Sequence, residues 1–267
     1  MKATELFSVR DLSVVVTGGA NGLGSAFARA MADNGAQVTL FDLDGEAAAA
    51  KANELGRNGG ATDWLQLDLT NKAALAAAFA TVMKRRGKLD VLFANAGIVA
   101  GPGFLNGDWQ RAPAGAIENI PLDLWRQVQN VNLKATFSAI QASVPYMKQN
   151  GGGRIIVTSS TASLRVSPAV GVAYGVTKAG LNQLVRQLAV ELASLSIRVN
   201  AILPGPFQTR ITTPEMQAAF NRASPVGRAA ELHEIEGLAL LLASNASNFM
   251  TGGLYPIDGG LLLGKVD

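Results

Sequence analysis

Apolar residues along this chain alternate between two spacings, short continuous runs and longer stretches with a helical repeat. The runs Ser13–Val16, Gln37–Phe41, Trp64–Leu67, Leu89–Phe93, Gly153–Val157, Ile197–Leu203 and Leu254–Ile257 are rich in Val, Ile and Leu and read as buried strands. Between them, helices are predicted from about Ser25 to Asn34, ended by Gly35, and over Glu46–Leu55, Asn71–Lys84, Leu122–Lys148, Val172–Leu192 and Glu231–Ser244. Strand and helix in strict alternation predict an α/β fold, a doubly wound parallel sheet of about seven strands with helices on both faces. No repeat, low-complexity tract or linker divides residues 1–267, so a single domain is expected.

Composition narrows the chemistry. Hydrophobic residues make up 48% of the chain and charged residues only 16%, while 29 glycines imply many tight junctions. The net charge is +3 and the basic residues are scattered; the densest run, Lys84-Arg85-Arg86, sits where a helix C-terminus favours cations, so nucleic-acid binding is not expected. Cysteine is absent and His233 is the only histidine, which excludes disulfides, thiolate metal sites and histidine-clustered metals. It also makes a Ser-His-Asp hydrolase improbable. Met1–Leu12 has no signal-peptide core, and no apolar run approaches the ~18 residues of a membrane span. A soluble, cytoplasmic protein that does not associate with membrane is expected.

The first strand runs into Thr17-Gly18-Gly19-Ala20-Asn21-Gly22-Leu23-Gly24 and then a helix. Glycines at such a turn let the backbone approach a pyrophosphate, and the helix N-terminus offers free N–H groups. A purely structural turn would fit as well. Asp42 ends the second strand, 18 residues beyond Gly24, where a carboxylate accepts from both ribose hydroxyls and repels a 2′-phosphate. No Lys or Arg lies in the turn or directly after Asp42 to offset this, which favours NAD over NADP. The other reading of Asp42 is a helix N-cap. Asp68 closes the third strand near where an adenine amino group would lie, although Asp68 or Thr70 capping the next helix explains both residues equally well. Tyr174 and Lys178 lie one helical turn apart, and a lysine held near a phenol of pKa ~10 favours the phenolate, which makes Tyr174 a candidate general acid/base.

In order, the T-G-x-x-x-G-x-G turn, Asp68, Asn95-Ala96-Gly97, Asn132, Ser160, Tyr174-x-x-x-Lys178 and Pro204-Gly205 with Thr209 resemble the short-chain dehydrogenase/reductase family over nearly the whole chain. The resemblance makes the expected fold Rossmann-type, with residues 13–97 mainly dinucleotide-binding and 98–267 the catalytic, lid and assembly half. It implies that Tyr174 exchanges a proton with the substrate oxygen and that Ser160 hydrogen-bonds that oxygen, with Ser159 or Thr161 as weaker candidates. Lys178 is implied to bind the nicotinamide ribose and depress the tyrosine pKa, and the Asn132 backbone to hold a relay water, with Asn130 as the other reading and Leu133 after Asn132 fitting the family pattern. Cofactor contacts are implied at Gly18, Asn21, Gly22, Leu23, Gly24, Asp42, Leu43, Asp68, Leu69, Asn95, Ala96, Gly97, Tyr174, Lys178, Pro204, Gly205, Phe207 and Thr209, with no metal.

Three departures stand out from the family pattern: Ala94 replaces an asparagine, Ser163 replaces a glycine, and the Gly97–Asn132 connection is longer than usual. That excursion reads either as a substrate-facing lip with Phe104 and Trp109 as contacts or as a surface or subunit-contact loop. The segment from Thr209 to Val226 resembles a mobile substrate lid, with Phe207, Ile211, Met216 and Phe220 either as its apolar lining or simply packing the segment down. The expected function is an NAD-dependent oxidoreductase interconverting a secondary alcohol and a ketone, on a fairly hydrophobic small molecule of cyclic or aromatic kind. The alternatives are an NADPH-dependent 3-oxoacyl thioester reductase and a non-catalytic nucleotide-binding regulator. A homotetramer or homodimer is implied by the resemblance.

Overall fold

A computed structural model describes residues 2–57, 59–106, 110–210 and 212–264. Seven strands, β1 (Ser13–Thr17), β2 (Gln37–Asp42), β3 (Ala61–Gln66), β4 (Val91–Ala94), β5 (Gly153–Thr158), β6 (Ile197–Pro204) and β7 (Leu254–Ile257), form one sheet in the order 3-2-1-4-5-6-7. Every neighbouring pair is parallel. The helices are α1 (Ala3–Leu6), α2 (Gly22–Asp33), α3 (Gly45–Arg57), α4 (Lys72–Arg86), α5 (Leu122–Val128), α6 (Ala135–Gln149), α7 (Val172–Leu192), α8 (Pro214–Ala223) and α9 (Glu236–Ala243). Among the described residues, no helix is long and apolar enough to cross a membrane.

The two faces of the sheet follow from the period of two along each strand. Val14, Val16, Val91 and Phe93 point to one core with α2, α3 and α9, where Phe27 stacks on Phe93 at 5.0 Å. Val15, Leu92 and Ala94 point to the other, with α4, α6 and α7, where Phe41 meets Phe79 edge-on at 5.3 Å. Both faces are covered, so the central strands are apolar throughout, as buried parallel strands must be. Strand order reverses at the β1–β4 pair, and the crevice outside those carboxyl ends is where such sheets take ligands.

Several elements differ from the sequence expectation. β3 begins at Ala61, earlier than the apolar run, because it is an edge strand whose polar Thr62 and Asp63 need only one covered face. The expected Leu122–Lys148 helix carries a π-helical stretch, Gln129–Lys134, between α5 and α6. The final helix opens with a tighter turn, Leu232–Ile235, in which His233 is exposed. Among the described residues of the Thr209–Val226 segment only Pro214–Ala223 is helical, started by the Thr213 side chain accepting from Met216 N. Trp109 and Ile211 lie outside the described residues.

Candidate active site

A cavity of about 1380 Å³ lies along the carboxyl ends of the strands. At one end is the glycine-rich turn. Gly18 and Gly22 have φ of +62° and +54°, a region that side chains with a Cβ rarely adopt. A Cβ on Gly22 would meet nothing within 4 Å, so its backbone faces open space in the cavity. Gly24 has the opposite reason to be glycine. It does not line the cavity, and a Cβ there would lie 2.0 Å from the Gly18 carbonyl oxygen.

The turn is held by polar groups from three strands. Thr17 Oγ1 accepts from Asn95 N (2.9 Å) and Ala96 N (3.1 Å) and donates to the Phe93 carbonyl (3.3 Å). Asn95 Nδ2 donates to the carbonyls of Thr17 (3.1 Å) and Gly18 (3.2 Å), while its Oδ1 accepts from Thr158 Oγ1 at 3.0 Å. Asn95 therefore ties β1, β4 and β5 together at the switch point. Thr17 and Thr158 are the partners that sequence reasoning passed over; Thr17 stood in the motif itself.

Asp42 is not a helix cap. Its Oδ2 accepts from Ala20 N in the turn at 3.0 Å and its Oδ1 from Asp44 N at 3.1 Å, while Asp44 accepts from Ala47 N and starts α3. The carboxylate of Asp42 thus lines the cavity beside the turn, next to Leu43. Asp68 accepts from the Thr70 N–H (2.8 Å) and hydroxyl (2.7 Å), bonds that hold its carboxyl below the usual range, and Asn71, not Asp68 or Thr70, caps α4. Asp68 and Leu69 line the same end.

At the other end, β5 presents Thr158-Ser159-Ser160-Thr161 to α7. Ser159 Oγ donates to the Lys178 carbonyl (3.0 Å) and Thr161 Oγ1 to the Pro204 carbonyl (3.3 Å). Both hydroxyls are spent on the scaffold; the Ser160 oxygen accepts from Ala162 N at 3.1 Å, and Ser160 is the hydroxyl that draws the Tyr174 phenol downward. Lys178 is 4% exposed; its Nζ donates to the Thr158 carbonyl at 2.7 Å and lies 5.6 Å from the Tyr174 ring centroid. Burial without a carboxylate partner lowers its pKa to about 8. The expected depression of the tyrosine is reversed in this geometry. Burial pushes the Tyr174 phenol above its ordinary value, and the pull downward comes from the Ser160 hydrogen bond, because the ammonium sits over the ring and on a carbonyl instead of beside the phenol oxygen.

Asn132 is fully buried and lies behind the cavity wall. Its amide spans Ile98, accepting from N (2.7 Å) and donating to O (2.9 Å), and also donates to Thr177 Oγ1 at 3.3 Å. It falls in the π-helical stretch, a device often found at functional sites. Pro204, Gly205, Phe207 and Thr209 line the cavity beyond β6, with Thr209 fastened to Thr212. The rest of the wall carries apolar side chains beside polar ones such as Gln127, Arg165 and Arg210. Phe104 of the excursion, Val166 and Val170 of the loop after Ser160, and Met216 and Phe220 of α8 face the space, so the excursion does form part of the rim. It is packed there closely: Leu105 N donates to the Pro168 carbonyl, and a Cβ on Gly103 would lie 2.0 Å from that oxygen.

Residues 18–262 match the family profile described as Enoyl-(Acyl carrier protein) reductase. The trans-4-hydroxycyclohexanecarboxylate dehydrogenase of Sinomonas cyclohexanicum is 36% identical over 263 residues, covering 96% of this chain and 95% of that protein. The chain belongs to the short-chain dehydrogenase/reductase family. This short-chain dehydrogenase/reductase is an oxidoreductase of alcohol- or ketone-type small molecules, and its Rossmann-type fold binds NAD or NADP. It is also 32% identical to the rhamnolipid-biosynthesis 3-oxoacyl-[acyl-carrier-protein] reductase of Pseudomonas aeruginosa, over 96% of this chain and 98% of that one. The solved Pseudomonas aeruginosa RhlG/NADP active-site complex superposes with a TM-score of 0.87 at 32% identity, covering 97% and 99% of the two chains. The glycine cradle of this short-chain dehydrogenase/reductase, with Gly22 open to the cavity and the N-terminus of α2 behind it, fits the diphosphate of either dinucleotide.

Proposed function

We propose that this chain is an NAD-dependent oxidoreductase that interconverts a secondary alcohol and a ketone, with Tyr174 as general acid/base. The observation that carries the reading is that Tyr174, Ser160 and the buried Lys178 line one end of the same cavity, with Lys178 Nζ 5.6 Å from the Tyr174 ring centroid. The dinucleotide supplies the hydride acceptor or donor when bound. Tyr174 takes the hydroxyl proton during oxidation and returns it during reduction, while Ser160 holds the substrate oxygen. Lys178 supplies positive charge over the Tyr174 ring as the proton leaves and, in this reading, binds the ribose hydroxyls. Asn132 anchors the Ile98 backbone, so the Asn95–Gly97 loop keeps its distance from Lys178.

Asp42 supports NAD as the preferred form. Its carboxylate lines the adenosine end, and the cations that line the cavity among the described residues, Arg165, Lys178 and Arg210, come from the segments that follow β5 and β6. A 2′-phosphate would meet negative charge with nothing to balance it. The contacts proposed for the dinucleotide are Gly18, Asn21, Gly22, Leu23, Asp42, Leu43, Asp68, Leu69, Asn95, Ala96, Gly97, Tyr174, Lys178, Pro204, Gly205, Phe207 and Thr209, with Gly24 shaping the turn from behind. The apolar rim and the named substrate of the Sinomonas relative support a cyclic secondary alcohol. The Pseudomonas relative favours a second reading, an NADPH-dependent 3-oxoacyl thioester reductase. Exposed Phe137 on α6 and Val190 on α7 support a homodimer or homotetramer through those helices.

The test is reduced-nicotinamide absorbance with a panel of cyclic, aromatic and aliphatic secondary alcohols and a 3-oxoacyl thioester, each with both cofactors. Turnover of a cyclic alcohol with NAD, lost in Tyr174→Phe, is the expected result. Turnover of the thioester with NADPH alone would move the assignment to the second reading.

A further inference from the structure

Ser163 and Asn182 form a chain of hydrogen bonds to the back of Ser160 that the reaction as described does not use. The Ser160 carbonyl accepts from Ser163 N at 3.0 Å and also from Ser163 Oγ. Ser163 Oγ in turn accepts from Asn182 Nδ2 at 2.7 Å. Asn182 is 4% exposed and stands one turn beyond Lys178 and two beyond Tyr174 on α7. A hydroxyl has one proton; with that proton on the Ser160 carbonyl, the contact to Asn182 must be amide N–H to Oγ. This orientation leaves Asn182 Oδ1 buried with no hydrogen-bond partner.

Two features separate this chain from ordinary scaffold bonding. The links from Ser159 and Thr158 to Lys178 already fasten β5 to α7, so the Ser163 link is not needed to join them. The amide is also held from one side alone, since Asn182 Nδ2 donates to Ser163 Oγ and no protein group donates to its Oδ1. Ser163 stands where the family pattern has glycine, which has no hydroxyl to offer.

We infer that Ser163 and Asn182 are positioning residues that set the Ser160 hydroxyl against the Tyr174 phenol through the Ser160 backbone. The inference rests on the proposed roles of Ser160 and Tyr174. Without the Ser163 hydroxyl the Ser160 carbonyl keeps only the Ser163 N–H as donor, and without Asn182 the Ser163 hydroxyl loses the amide that holds its rotamer, so in either case the turn that aims Oγ is free to relax. A displacement of about 1 Å in such a contact costs on the order of tenfold to a hundredfold in rate. Because the Ser160 hydrogen bond is what lowers the buried Tyr174 phenol, its weakening also moves the tyrosine upward.

The experiment compares Ser163→Gly, Ser163→Thr and Asn182→Leu with wild type in alcohol oxidation, reading kcat, the pH midpoint of kcat/KM, NADH affinity and Tm. Ser163→Gly and Asn182→Leu are expected to lower kcat by ~10-fold or more and shift the pH midpoint upward, with NADH affinity unchanged. Asn182→Leu should leave Tm close to wild type, and Ser163→Thr, which keeps the hydroxyl, should retain most of the rate. The double variant should be no slower than the worse single one, as both cut the same chain. The other ionisable groups lining the cavity, Asp42, Asp68, Arg165, Lys178 and Arg210, are untouched, so the midpoint reports the Ser160 contact. Rates and midpoints within twofold of wild type, or a fall in Tm with kcat intact, would overturn the inference. Ser160→Ala is the control: wild-type activity there would remove the underlying reading itself.

Discussion

The two ends of the cavity are built differently. At the dinucleotide end, strand termini and one short turn carry the site, and its polar side chains are satisfied by each other: Thr17 by Asn95, Asn95 by Thr158, Asp42 by the Ala20 N–H. At the end proposed for substrate, the excursion, the loop after Ser160 and α8 carry it, and half-exposed apolar side chains such as Phe104 and Met216 face the space. A diphosphate needs backbone N–H groups at fixed points, which requires glycines and a rigid frame. An apolar substrate needs only a shape, and loops can vary that shape without disturbing the frame. Tyr174, Ser160 and Lys178 sit on the seam.

Breaking the rigid end should have the largest effect. Gly24→Ala places a Cβ against the Gly18 carbonyl, and backbone cannot yield as a flexible side chain would. NADH binding in a fluorescence titration should be lost, and stability in calorimetry should fall by about 3 kcal/mol or more. Binding at wild-type strength would mean the turn is softer than its contacts imply.

On the seam, Lys178→Met should lower kcat by ~100-fold or more while making the fold more stable at neutral pH. The sign follows from linkage. The lysine has a pKa of about 8 in the folded protein and its ordinary 10.5 in the unfolded chain, so the unfolded chain binds more protons between those values and wild-type stability rises with pH through that window. The variant's advantage, up to about 3 kcal/mol, should be full below pH 8 and gone above 10.5. Urea denaturation at a series of pH values checks it, and a variant less stable at pH 7 would contradict the burial penalty.

Asp42→Ala should narrow the preference for NAD over NADP by ~10-fold, read as the ratio of kcat/KM values. An unchanged ratio would falsify the role given to that carboxylate. The smallest effect is expected at the substrate rim. Phe104→Ala should change substrate KM a fewfold, by about 1 kcal/mol of apolar contact, and leave NAD affinity alone. Equal losses in both would return the excursion to the role of a surface or subunit-contact loop.

The order of strands and helices was legible because both faces of the sheet are buried, so β-branched runs and helical repeats carry the pattern without interruption. The pattern weakened at β3, where edge exposure mixes polar residues into the strand, and at Gln129–Lys134, where nothing in the residues announces a π-helical stretch. Of the candidate residues, Ser160 could not be separated from Ser159 and Thr161 by spacing. What separates them is where each hydroxyl goes, and those acceptors, Lys178 and Pro204, lie 19 and 43 residues away. Asp42 and Asp44 were likewise two adjacent acids until one was seen on the glycine turn and the other on α3.

The sequence alone determined the fold class, the glycine turn, the acid at the end of β2 and the tyrosine–lysine spacing, all of them local patterns of residue type and interval. Tertiary structure decided the rest. It turned the Asn132 amide onto the Ile98 backbone, joined Asn182 to Ser163, and brought Phe104 to the cavity rim. It also reversed the direction in which Tyr174 is pulled, since a side chain's burial and its hydrogen-bond partners are set by segments far away in the chain.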